Sequence, residues 1–258
     1  MLLFRAELRC AITNPNLRKD NDLFDNFGRI EKNDPEFYEI FKIFAFDEVL
    51  EFSSLNENES VLGILASLIA CQSPKAFKKI LDSALDNYVS PREVKELLYQ
   101  SVPYVGFGRA HNFFGVVIKV FDKKGIKMPL DIIPDVAAEN KYKSGREIQE
   151  TYFGVELIKL MDDSTLEGQQ HINKFLESHC FGDFYTREGL NDIQRELITF
   201  TFITTLGGCE NQLRGHIQGN LSVGNDKEKL ISAITVMLPY IGFPRSLNAI
   251  SIVNEICE

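Results

Sequence analysis

The sequence predicts an all-α protein made by tandem duplication of one helical unit, and two observations carry this. Val102–Asn112 (VPYVGFGRAHN) returns as Leu238–Asn248 (LPYIGFPRSLN), with Pro103, Tyr104, Gly106, Phe107, Arg109 and Asn112 repeated as Pro239, Tyr240, Gly242, Phe243, Arg245 and Asn248. Both copies also place apolar residues at helical spacing, and no stretch alternates as a strand would.

A lead-in helix is expected before each copy, over Asp34–Leu50 in the first and over Gly145–Asp162 plus Gln169–Phe181 in the second. Phe46 and Leu55–Asn56 pair with Phe181 and Leu190–Asn191 at a spacing one residue shorter than the downstream anchor. One residue was therefore gained between the anchors, which places it at the Gly207–Gly208 turn. The next helix is apolar nearly all round, Glu59–Ala70 and Gln194–Leu206, so it belongs in a core or an interface. The second helix is Pro74–Leu85, with Phe77, Ile80, Leu81, Ala84 and Leu85 on one face, matched by Glu210–Leu221. A third opens at Ser90-Pro91-Arg92-Glu93, a capping box with proline at the first helical position, and its partner opens at Asp226. The Pro-Tyr-x-Gly-Phe turn then leads into a final helix. Lys123–Ser144 carries prolines and charges without an apolar period and reads as the connector, leaving units of 1–128 and 140–258.

With 258 residues and 44% hydrophobic content, the chain can bury one large core or two ordinary ones. Five cysteines lie far apart without a CxxC ligand set, which fits reduced thiols in a cytoplasmic protein. The opening MLLFRAELRC mixes charge into a short apolar run, so no cleaved leader is expected. The longest uncharged stretch, Ser60–Pro74, falls short of the roughly 20 residues that cross a bilayer, so no membrane partner is expected. A net charge of −9 argues against nucleic acid, which needs a basic face. No glycine-rich phosphate loop or metal-ligand spacing calls for a cofactor or metal.

The apolar helix ending near a Gly or Cys turn, the helix with HIxGxL and the segment PYxGFPRxLNA together resemble the carboxymuconolactone decarboxylase family, whose wider group includes alkylhydroperoxidase D. The resemblance is strongest over Gly189–Glu255. It implies an all-α fold, with single-unit members forming trimers and hexamers and with sites between packed helices. A two-unit chain would then form a homo-oligomer, a trimer that recreates the hexamer, acting on a small-molecule substrate.

The copies serve as controls for one another. His216 stands where the first copy has Ile80, on the inward face of the second helix, and a buried imidazole needs a partner. Acid–base work and a core histidine bonded to a backbone carbonyl are the two readings. Cys209 corresponds to Ser73, the N-cap before Pro74, which puts its sulfur at a helix N-terminus two turns before His216 on the same face. A reactive thiolate and an inert thiol both remain open. In the frame of the peroxidase branch's CxxCxxxH, Cys209 and His216 match and Gln212 replaces the second cysteine, which puts the paired-thiol cycle in doubt. The family also implies a functional glutamate on the apolar helix. Glu196 matches it, where the first copy has Val61; an ordinary helix-start carboxylate is the alternative.

Arg195 and Arg214 are candidate anchors for a substrate carboxylate, with Gln212 beside them as a further binding candidate, although solvated surface arginine is the plainer reading of each. Arg109 and Arg245, held in common, read as structural, bonding helix-end carbonyls. His111 corresponds to Leu247 in the repeat and reads as surface or interface. The first copy, with Val61, Ser73, Ala76 and Ile80 at the site positions, is expected to be structural. Three functions compete: decarboxylation of a small carboxylated lactone or keto acid, thiol-dependent peroxide chemistry at Cys209 with an external thiol, and non-catalytic ligand binding by a helical oligomer.

Overall fold

The computed structural model describes residues 28–131 and 139–258. The start of the chain with Cys10, and the middle of the connector, lie outside the described residues. Everything regular among the described residues is helical. A short α1 (Gly28–Asn33) leads into α2 (Pro35–Lys42), which Asp34 caps through the Phe37 amide. The rod continues as a π-helical stretch, Ile43–Glu48, and a last turn, Val49–Glu51.

The first unit then runs α3 (Glu57–Ala70), α4 (Pro74–Asn87), α5 (Pro91–Val105) and α6 (Phe107–Lys123). The second unit repeats this order as α10 (Asp192–Leu206), α11 (Glu210–Ser222), α12 (Lys227–Ile241) and α13 (Phe243–Ile256). The Ser90–Glu93 capping box forms both of its bonds, and Asn56–Glu59 and Asn191–Gln194 cap α3 and α10 in the same way.

Between the units, α7 (Lys141–Phe153) and α8 (Val155–Ser164) precede α9 (Gln170–Phe175), which passes into a second π-helical stretch, Leu176–Tyr185. Both copies therefore carry π winding in the lead-in segment. Three boundaries differ from the sequence expectation. The expected helix over Gly145–Asp162 begins earlier, inside the connector, and breaks at Gly154, whose φ of +87° ends α7. The repeated Pro-Tyr pair belongs to the helix, since α5 and α12 run through Pro103 and Pro239 and end only where Gly106 (φ +82°) and Gly242 (φ +80°) turn the chain. The extra residue of the second copy lengthens the apolar helix itself: α3 has 14 residues and α10 has 15.

α3 and α10 lie against each other at the centre and are buried on all sides over 59–70 and 195–205. Each unit's third helix crosses to the other unit's apolar helix, α5 onto α10 and α12 onto α3. One hydrophobic core therefore runs through both units, from Phe77 and Phe113 to Phe200, Ile217 and Val253. A satellite cluster of Tyr152, Cys180, Phe181 and Tyr185 forms where α7 packs on the second π stretch.

That contact is close because two glycines remove side chains from it. A Cβ on Gly145 would lie 1.9 Å from the Glu177 carbonyl oxygen, and one on Gly182 would lie 2.5 Å from that of Lys141. Arg146 ties the same elements by donating to Glu150, Asp162 and Glu177. Among the described residues no helix is long and apolar enough to cross a membrane.

Candidate active site

α10 and α11 bring Glu196 and His216 together. The His216 Nδ1 lies 2.9 Å from Glu196 Oε2, with the carboxylate fully buried. A carboxylate only accepts, so Nδ1 carries a proton and donates it to Glu196. The other ring nitrogen, Nε2, makes no hydrogen bond among the described residues, and 11% of the side chain remains exposed. The expected partner of the buried imidazole is thus a carboxylate, and the reading of a histidine satisfied by a backbone carbonyl is set aside.

Glu196 is held from its other side. Tyr185, the last residue of the second π stretch, donates its hydroxyl to Glu196 Oε1 at 2.9 Å. Behind it stands a directed chain of donors. Arg195 Nη1 donates to Gln100 Oε1 (3.0 Å), and Gln100 Nε2 donates to Thr199 Oγ1 (3.1 Å). Thr199 lies 3.2 Å from the Tyr185 hydroxyl, and since that hydroxyl gives its proton to Glu196, Thr199 is the donor there. The same logic makes Tyr104 a donor to Tyr185 across 2.6 Å. Every link points toward the Glu196 carboxylate.

Burial, and after it the nearby Glu196 and Cys180, holds the Tyr185 hydroxyl well above its ordinary range. Burial together with Cys180, Tyr185 and Glu196 does the same for Tyr104, and burial pushes the Cys180 thiol up to about 12. These groups keep their protons and serve as fixed donors. Asn220 locks the two helices at this point, since its amide donates to the carbonyls of both Glu196 (3.0 Å) and His216 (2.6 Å) and accepts from Asn225 (2.8 Å).

The imidazole stands edge-on between two rings, Tyr104 and Phe153, each with its centroid 5.3 Å away. Gly219 makes room for this: a Cβ there would come within 2.6 Å of Glu196 Oε2 and 2.8 Å of the Phe153 ring. The site is therefore made by both units and by the helix between them. Tyr104, Gln100 and Glu96 come from α5, and Phe153 from α7.

At the repeat-related place in the first unit, Leu50, Val61, Ile64, Ile80 and Ala84 stand for Tyr185, Glu196, Thr199, His216 and Asn220. The polar cluster is replaced throughout by apolar side chains packed in or against the core. Tyr240, the repeat of Tyr104, keeps its hydroxyl buried there with no partner among the described residues. Burial alone raises its pKa. The two tyrosines should respond oppositely to loss of the hydroxyl. Tyr240→Phe removes an unsatisfied buried group and is expected to stabilise the protein by about 1 kcal/mol, whereas Tyr104→Phe breaks a made bond and costs about the same. Denaturant unfolding of both variants measures the two signs.

Other sequence candidates stand apart from the dyad. Arg195 is buried and spent: its guanidinium bonds Gln100, the Arg187 carbonyl and Glu96, which Arg187 also grips through a fork. It cannot anchor a substrate where it lies, because its tip points into α5. Arg214 pairs with Glu255 through two hydrogen bonds of 2.9 and 2.8 Å at the surface, and Gln212 is exposed. Cys209 is the N-cap of α11, as expected, but its φ of −128° and ψ of 40° take it off the helical face that carries His216. Its sulfur donates to the Gly207 carbonyl at 3.6 Å, and it lines a cleft that does not include His216. His111 is exposed against Phe107. Arg109 and Arg245 bond no helix-end carbonyl through their side chains among the described residues; Arg245 instead faces the Cys209 cleft. Among the described residues no cluster of three or more His, Cys, Asp or Glu side chains could hold a metal ion.

The sequence profile of the carboxymuconolactone decarboxylase family matches residues 35–119 and again residues 170–255, the two helical repeats. The chain belongs to the carboxymuconolactone decarboxylase family. It is similar to the 4-carboxymuconolactone decarboxylase of Acinetobacter baylyi, with 26% identity over 118 residues that make up 46% of this chain and 87% of that protein. The relative thus has the length of about one unit, and this family member carries two.

Proposed function

We propose that the chain is an acid–base enzyme that releases carbon dioxide from a small carboxylated lactone or keto acid, with His216 as the proton donor. The observation that carries this reading is the 2.9 Å contact between His216 Nδ1 and Glu196 Oε2, which leaves Nε2 as the working nitrogen. Family membership and the name of the bacterial relative support the substrate class.

Loss of carbon dioxide breaks the bond between the carboxylate and its carbon, and the electron pair stays behind as an enolate-like carbanion. The imidazolium of His216 then delivers a proton from Nε2, and water restores it, so each turnover consumes one proton. Glu196 supports the imidazolium, and the donor chain through Tyr185 keeps both carboxylate oxygens engaged so that the ring cannot turn. Thiol chemistry has less support, because Cys209 lines a cleft that does not include His216 and Gln212 holds the place of a second cysteine.

The test is incubation with 4-carboxymuconolactone in D2O. Carbon dioxide release with a single deuteron incorporated on carbon in the product lactone is expected. A wild-type protein that leaves the lactone intact removes this reading.

A further inference from the structure

Beside the start of α11 lies a small, solvent-open cleft that the dyad does not use. Seven residues of helix separate Cys209 from His216, about 10 Å along the axis. The cleft is lined by the Gly207–Gly208 turn, Cys209, Glu210, Thr204, Arg245 and Asn248, among others. We propose that it binds a small carboxylate or another oxyanion, on the Arg245 guanidinium and the open N-terminus of α11.

Three independent features meet there. Cys209 caps α11 without a side-chain bond to the first-turn amides, so these keep their unsatisfied N–H groups and the positive end of the helix dipole. Thr204 is 3% exposed, and its hydroxyl has no partner among the described residues. A buried hydroxyl left unpaired is costly, and a ligand oxygen would satisfy it. Arg245 is exposed and forms no hydrogen bond or ion pair among the described residues, while Arg187, Arg195 and Arg214 are all engaged by carboxylates. A free guanidinium facing orphan amides is the donor set a carboxylate takes. Glu210 on the rim is the opposing charge.

The first unit provides the contrast. Its equivalent helix start has Pro74, which lacks an N–H, and Gln72 fills the turn by bonding the Ile69 and Arg109 carbonyls at 2.8 and 3.0 Å. The inference stands whether or not His216 is a catalytic acid, since it rests on other residues.

Cys209 supplies the reporter. Iodoacetate alkylates a thiolate by forming a C–S bond as the C–I bond breaks; iodide leaves and the thiol proton goes to solvent. A chain of net charge −9 would otherwise repel this anionic reagent relative to neutral iodoacetamide. Labelling of Cys209, followed by peptide mass spectrometry, is expected to saturate with iodoacetate and to slow when acetate or phosphate is added. Arg245→Gln, at an exposed position, should lower the iodoacetate-to-iodoacetamide rate ratio about tenfold, the scale of one charge-assisted hydrogen bond. Should neither reagent label Cys209, the Glu210 and Asn211 amide resonances decide: they should shift saturably with acetate in the wild type and about tenfold more weakly in Arg245→Gln. An unchanged ratio in the variant, or amides that acetate does not move, overturns the proposal.

Discussion

Glu196→Gln is expected to lower decarboxylation by about 10²–10⁴-fold while leaving the fold intact. The amide has nearly the shape of the carboxylate, and its oxygen can still accept from Tyr185, which now donates to Glu196 Oε1 at 2.9 Å. What changes is the side facing His216. The carboxylate holds a proton on Nδ1 in both charge states of the ring, whereas the amide nitrogen is a donor and favours the tautomer with Nδ1 bare. Nε2 would then carry the proton of the neutral ring, and the imidazolium would lose its counter-charge. Nitrogen NMR of the imidazole separates this cause from a general loss of structure: Nδ1 should be protonated throughout in the wild type and not in the variant. Full activity in Glu196→Gln would mean the carboxylate serves only to satisfy a buried histidine.

The second large effect is expected at a residue that touches no substrate. In an ordinary helix, glycine to alanine stabilises by roughly 1 kcal/mol. Gly215 on α11 has open space around the place where a Cβ would stand, so Gly215→Ala should show that gain. Gly219, one turn later, should show the reverse. Its Cβ would press on Glu196 Oε2 at 2.6 Å and Cδ at 3.2 Å, and on the Phe153 ring at 2.8 Å. Neither neighbour is a loose end, since the carboxylate is held by His216 and Tyr185, and Phe153 is packed edge-on against both His216 and Phe181. Gly219→Ala is therefore expected to cost about 1–3 kcal/mol and to lower the catalytic rate with it. Thermal unfolding of the two alanine variants side by side checks the opposite signs.

The duplication made much of this architecture legible from residues alone. Capping sequences at Ser90 and Asp226 and the two all-apolar helices located most elements to within a few residues. Comparing copies also singled out Glu196 and His216, because a buried carboxylate and imidazole stand where the other unit has Val61 and Ile80. The comparison failed at Tyr104 for a physical reason. A residue present in both copies reads as scaffold only if it serves its own unit, and α5 crosses to the other. Tyr104 therefore completes the second unit's site, while Tyr240, its repeat, faces the apolar replacement.

Tyr185 was hidden differently. It lies at the end of a π-helical stretch whose side chains do not follow the 3.6-residue period, so no face could be read for it. Arg195 misled because an arginine beside a candidate site suggests a substrate anchor. Its actual partners, Glu96 and Gln100, lie far away in sequence, and no local pattern announces them. Phe153 and Gly219 could be recognised only once α7 was seen to lie across α11.

The most direct test of the central claim, that the second unit's histidine supplies the proton, is the rate of carbon dioxide release from 4-carboxymuconolactone by His216→Ala beside the wild type. A loss of about 10²–10⁴-fold in kcat, with the variant as stable as the parent or nearly so, is the predicted result. Equal rates for the two proteins would contradict it.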